Sequence, residues 1–120
     1  MPTYAQKKYL FAIYKLGCNS KNVCSADVAK MVGVSKASMV KMSQRLSDDG
    51  YIYKAPYGKI TLTEAGIREA NALFTNCVVI IDFLKKLGID EEKADSDAVT
   101  IVSRVSEETL DGLVEYALHE

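Results

Sequence analysis

Apolar side chains recur at helical spacing from the start of the chain. Leu10, Ile13 and Tyr14, with Phe11 beside them, predict an amphipathic helix over residues 4–16, ending at Gly17. Val28, Ala29 and Val32 share one face of a second helix, for which Ser25 is the expected cap and Gly33 the expected break. Ser35 stands where it can cap a third helix, residues 36–48. There Met39, Met42 and Leu46 repeat at i, i+3 and i+7, while Lys36, Ser38, Lys41, Gln44 and Arg45 fill the other faces. Asp48-Asp49-Gly50 closes it.

The period then changes. Residues 51–54 and 59–62 are short β-prone runs joined by Ala55-Pro56-Tyr57-Gly58, a hairpin with turn residues in its loop. Thr63 and Glu64 open a long helix that runs to residue 87 and stops at Gly88. Ile67, Ala70, Leu73, Phe74, Cys77, Ile80, Ile81 and Leu84 give it a broad apolar surface. Two more helices follow, over residues 91–105 and 107–118, the second capped by Ser106 with Leu110, Leu113, Val114 and Ala117 on one stripe.

Helix, Gly-containing turn, helix and hairpin are the parts of a winged helix-turn-helix. Ala29 and Gly33 suit it, because closely crossing helices need a small residue at the contact and the turn needs a positive φ. The expected fold is therefore mostly α with a small β-hairpin. A winged helix-turn-helix over residues 1–62 precedes an α-helical dimerisation domain over residues 63–120.

Composition agrees and adds one asymmetry. A chain of 120 residues, 48% hydrophobic and 26% charged, can bury a core without disulfides or metal, and no apolar run approaches the ~20 residues of a membrane span. Lys7 and Lys8 precede an apolar stretch, and Leu16-Gly17-Cys18 looks superficially like a lipoprotein cleavage site. Lys15 interrupts that pattern, so a cytoplasmic protein is expected. Cys18, Cys24 and Cys77 are odd in number and lack C-x-x-C spacing, which disfavours a disulfide framework or a zinc knuckle. The overall charge of −1 conceals a strong division. Residues 1–62 carry ten basic against three acidic side chains, a net of +7, and residues 63–120 carry five against thirteen, a net of −8.

A basic half built as a winged helix-turn-helix points to double-stranded DNA. Helix 36–48 becomes the recognition helix, with Ser35, Lys36, Ala37, Ser38, Lys41, Gln44 and Arg45 toward phosphates and base edges. Lys54 and Lys59 flank the hairpin tip and reach the adjacent backbone or minor groove. One recognition helix reads little sequence, whereas a two-fold dimer sets two about 34 Å apart on successive turns of the duplex. Leu73, Phe74, Cys77, Ile80, Ile81 and Leu84 are the candidate homodimer interface.

Residues 9–14 with Leu16, 28–34, Ser38 with Lys41, Met42 and Leu46, Tyr51 and Tyr53 with Gly58, Leu62-Thr63 with Gly66, Phe83-Leu84, residues 88–93 and Ser106 form a set with a distinctive order and spacing. Together they resemble the diphtheria-toxin-repressor family, specifically its small manganese-sensing branch without a third domain. The resemblance covers essentially the whole chain. It implies a homodimeric repressor of metal-uptake genes with Mn(II) or Fe(II) as corepressor, and a C-terminus one helix shorter than in close relatives.

The ligand positions that this resemblance implies are Lys8 and Phe11, Cys77 and Ile81, and Val99, Val102 and Ser103. Most of these side chains cannot coordinate a metal, and His119 is the one histidine, so no cofactor is expected. The leading expectation is a DNA-binding regulator, a repressor by resemblance, whose metal switch is lost. Cys77 alone retains soft-ligand chemistry there, as a redox or metal sensor or as a packed thiol. Competing readings are a metal-dependent repressor with displaced ligands such as Asp95, Asp97 or Glu107, and a winged-helix interaction module that does not touch DNA. An enzyme is disfavoured, since there is no phosphate-binding Gly-rich loop and no histidine in the context of a triad.

Overall fold

The computed structural model describes residues 2–17 and 22–119; Cys18 lies outside them. The elements are α1 (Tyr4–Gly17), β1 (Val23–Cys24), α2 (Ser25–Val32), α3 (Lys36–Asp48), β2 (Ile52–Ala55), β3 (Lys59–Leu62), α4 (Glu64–Lys86), α5 (Glu91–Arg104) and α6 (Glu107–Leu118). The three strands form an antiparallel sheet in the order β1-β3-β2. A tight turn, Pro56–Gly58, links β2 to β3. The chain divides into two compact units, Met1–Asn71 and Ala72–Glu120, so the boundary falls inside α4.

In the first unit the core takes Leu10 and Ile13 from α1, Val28 from α2, Met39 and Leu46 from α3, and Ile52, Ile60 and Leu62 from the sheet. These are the apolar positions that the helical and alternating periods single out. Gly33 ends α2 with φ 84°, its N–H donating to Ala29 O at 2.8 Å, a left-handed cap that a side chain would strain. Tyr53 pairs with Thr61 and Lys54 with Ile60 across the hairpin, and both Tyr53 and Lys54 are exposed.

Thr63 joins the hairpin to α4. Its N–H donates to Tyr51 O at 3.0 Å, its hydroxyl donates to Gly50 O at 2.6 Å, and the same oxygen accepts from Gly66 N–H at 3.1 Å. The first turn of α4 thereby lies so close to the entry of β2 that a Cβ on Gly66 would stand 2.1 Å from Tyr51 O.

In the second unit Leu73, Cys77 and Ile80 of α4, Ala94, Ala98 and Val102 of α5, and Leu110 of α6 are buried. Asp90 caps α5 by accepting from Lys93 N–H, and Ser106 caps α6 by accepting from Thr109 N–H. Phe83 and Tyr116 meet edge to face with ring centroids 6.1 Å apart.

The structure departs from the sequence pattern in two places. The two-residue strand β1 is too short to show alternation, yet Val23 and Cys24 pair with Ile60 and Lys59. Pairing holds Cys24 extended (φ −82°, ψ 129°), so Cys24 is the N-cap of α2 and Ser25 is its first residue, not its cap. The other helix ends fall within a residue of expectation. No helix among the described residues is long and apolar enough to cross a membrane.

Candidate nucleic-acid interface

Ser35 sets the start of α3. It is extended (φ −72°, ψ 162°), and its Oγ accepts from Ser38 N–H and pairs with Ser38 Oγ, both at 3.1 Å. Met39 and Leu46 are buried beneath the helix. Consequently Ser35, Lys36, Ala37, Ser38, Lys41, Gln44 and Arg45 are all exposed on the remaining faces. Two hydroxyls and a lysine at the positive end of a helix dipole form a surface suited to phosphate.

The wing is braced against this helix. Lys54 Nζ donates to Gln44 Oε1 at 2.6 Å, and Gln44 Nε2 donates to Asp48 Oδ1 at 2.8 Å. Two residues predicted as separate DNA contacts are thus one hydrogen-bonded chain in the protein alone. Lys59, also exposed, opens β3 beside the hairpin tip. Thr61 Oγ1 donates to Asn22 Oδ1, which ties the same strand to the residue before β1.

Two residues of this surface escaped the sequence pattern. Tyr57 at the wing tip is 96% exposed and left-handed, φ 64°, between Pro56 and Gly58. Val40 on α3 is 62% exposed, an apolar side chain one position off the core stripe. Its signal was available: Val40 is the residue of helix 36–48 whose hydrophobicity the core does not use.

Behind the interface, Gln6 Oε1 accepts from Thr3 N–H at 2.9 Å, and Gln6 N–H donates to Thr3 Oγ1 at 3.1 Å. This reciprocal capping box starts α1. Tyr51 is half-buried, and burial first, then the charges of Glu69 and Asp49, hold its hydroxyl above the ordinary tyrosine pKa. Burial raises that of Tyr9 as well.

Of the six apolar residues assigned to a dimer face, Leu73, Cys77 and Ile80 are buried in the protomer itself, Ile81 and Leu84 are half-buried, and Phe74 is exposed. Val78, which lies outside the expected face, is exposed on α4, as are Leu113 and Tyr116 on α6.

These elements define a winged helix-turn-helix DNA-binding protein. Residues 3–60 match the model of the iron dependent repressor N-terminal DNA binding domain. The HTH-type transcriptional regulator MntR of Lysinibacillus sphaericus is 30% identical over 115 residues, 96% of this chain and 83% of the relative. An HTH-type transcriptional regulator of Methanocaldococcus jannaschii is 32% identical over 111 residues, 92% of this chain and 86% of the relative. The crystal structure of T. acidophilum IdeR matches with a TM-score of 0.74 at 26% identity, over 92% of this chain and 52% of its own. The manganese regulator SloR, at 21% identity, shares the fold with a TM-score of 0.78 over 100% of this chain and 55% of its own. The chain belongs to the diphtheria-toxin-repressor and MntR family of transcriptional repressors.

That family depends on Mn or Fe, and the residues at the positions that the resemblance assigns to its ligands have side chains of a different chemistry. Lys8 is itself a cation, its ammonium 5.6 Å from the Tyr4 ring centroid, and Phe11 carries Lys15 at 5.5 Å from its ring. Ile81, Val99 and Val102 present only carbon. Cys77 and Ser103, both buried, supply a thiol and a hydroxyl, whereas Mn(II) and Fe(II) favour carboxylate oxygens and imidazole nitrogens. Among the described residues no group of three or more His, Cys, Asp or Glu side chains is placed to hold a metal.

Proposed function

We propose that this protein is a cytoplasmic, homodimeric, sequence-specific repressor that binds its operator without a metal corepressor. What supports the reading is an exposed basic surface on α3 and the wing together with side chains of the wrong chemistry at the positions that the resemblance assigns to the metal ligands. Lys36, Lys41, Arg45, Lys54 and Lys59 are exposed on α3 and the wing, while the positions that the resemblance assigns to the metal ligands carry Lys8, Phe11, Ile81, Val99 and Val102. Met39 and Leu46 anchor the recognition helix. Its hydroxyls and cations engage phosphates, and Gln44 and Arg45 reach base edges of the major groove.

Dimerisation draws on the exposed apolar residues of the second unit, Phe74 and Val78 on α4 and Leu113 and Tyr116 on α6. Exposed apolar surface, when it is extensive, marks an association site. A two-fold pair then matches half-sites about one helical turn apart, roughly 34 Å.

The test is fluorescence anisotropy with the protein's own promoter fragment, in EDTA and with Mn(II), across a salt series. Tight, steeply salt-dependent binding already in EDTA is expected. Binding that requires Mn(II) would overturn the metal-independent reading and favour displaced ligands such as Asp95, Asp97 and Glu107. Weak binding without salt dependence would favour a protein-interaction module. Sedimentation equilibrium of the same sample reads the dimer directly.

A further inference from the structure

Within the first unit, Ala29, Val34, Met39 and Ile60 line a crevice of about 560 Å3 between α2, α3 and the β2–β3 hairpin. Small-molecule sites commonly enclose about 300–1,000 Å3, mostly apolar, with a few placed polar groups. Here the apolar part is provided by buried Ala29, Met39 and Ile60 at the floor, with half-buried Val34 and Ala55 and exposed Val40 above them. Among the described residues, every charged one lining the crevice is a lysine: Lys30, Lys36, Lys54 and Lys59. No carboxylate occurs among the described lining residues.

DNA phosphates account for the lysines but not for the apolar surface between them. A phosphate is strongly hydrated and gains nothing from Met39 or Ile60, whereas a hydrocarbon body gains from leaving water. Cationic rim and apolar floor together are complementary to one chemistry, an anion with a hydrocarbon tail.

We propose that the crevice binds a small amphipathic carboxylate, with its hydrocarbon part on Ala29, Met39 and Ile60 and its carboxylate among the rim lysines. Occupancy opposes DNA binding, because Lys36, Lys54 and Lys59 serve both ligands. The regulatory half rests on the DNA-binding reading above; the site itself does not. Decanoate has both parts and is smaller than the crevice, so it can enter without rearrangement.

Decanoate, titrated into the isotopically labelled full chain at constant sodium, is the probe. Saturable amide shifts at Ala29, Met39 and Ile60 are expected, with half-saturation below about 1 mM. Acetate, which has the charge without the tail, should produce none. At ten times half-saturation, DNA affinity measured by anisotropy should fall about tenfold through linkage. Ser43→Leu fills the crevice from its buried wall, and Ala26→Leu narrows it from the exposed side of α2 should the first variant fail to fold. Both lie outside the proposed DNA contacts, so each should lose decanoate and keep DNA binding.

Absent or non-saturable shifts would overturn the site, as would shifts that persist unchanged in Ala26→Leu or that acetate reproduces. A chain that binds DNA but not decanoate refutes the crevice alone. One that binds decanoate in the crevice but no DNA refutes the repressor reading and the antagonism, and leaves the site standing.

Discussion

Gln6 Nε2 donates to Asp49 Oδ2 at 2.7 Å, so the first turn of α1 is tied to the residue that ends the recognition helix. Gln6 is 1% exposed, and both ends of its amide are used, since Oε1 also accepts from Thr3 N–H. Gln6→Ala removes both bonds and leaves the Thr3 N–H to find another acceptor. The expected loss is about 1–3 kcal/mol in urea unfolding. A change below about 0.5 kcal/mol, the range of ordinary surface substitutions, would refute the tie.

Gly66 offers a sharper test of the hairpin junction. A methyl there would overlap Tyr51 O and press on Leu62 Cδ2 at 3.1 Å, and the obstacle is backbone that cannot rotate away. Gly66→Ala should therefore cost about 3 kcal/mol or more despite the better helix propensity of alanine. Thermal unfolding of Gly66→Ala beside Ala65→Gly separates this clash from propensity.

The contrast between these residues and the core shows what a sequence pattern carries. Leu10, Ile13, Met39 and Leu46 are legible because helical burial repeats, and Ser35, Gly33 and Ser106 are legible because caps have their own chemistry. Gln6 lies on the buried stripe of α1 but is polar, so periodicity passes over it, and its partner is 43 residues away. β1 owes its existence to pairing with β3 rather than to its own two residues. The crevice is invisible for the same reason, since only the fold brings Ala29, Met39 and Ile60 together.

Lys41 is exposed on α3, and its proposed role is to neutralise a phosphate. Lys41→Ala should weaken binding to all DNA sequences alike, and the slope of log K against log salt should become shallower by about 0.9 for each phosphate left unneutralised. Weakening confined to one operator sequence would instead assign Lys41 to base readout.

Tyr57 combines full exposure with a left-handed backbone that costs a non-glycine residue about 1–2 kcal/mol. Strain kept at an exposed tip suggests a partner outside the protein. Tyr57→Gly should leave stability unchanged or slightly raised while DNA affinity falls several-fold. If affinity is retained, the wing tip does not touch the duplex.

Cys77, which the resemblance assigns to a ligand position, is 2% exposed on α4, and the thiolate rather than the thiol is the reactive form. A thiol enclosed within the packed second unit is shielded from oxidants in solution. In a Cys18→Ser, Cys24→Ser double variant, Cys77 should react with a disulfide reagent at least about a hundredfold more slowly in the folded protein than in urea, because reaction then requires opening. Peroxide should leave operator affinity unchanged, and Cys77→Ala should bind DNA normally, with a modest loss of stability from the emptied space. Rapid modification of the folded protein together with a change in operator affinity, abolished by Cys77→Ala, would make this residue a sensor and would overturn its assignment to packing.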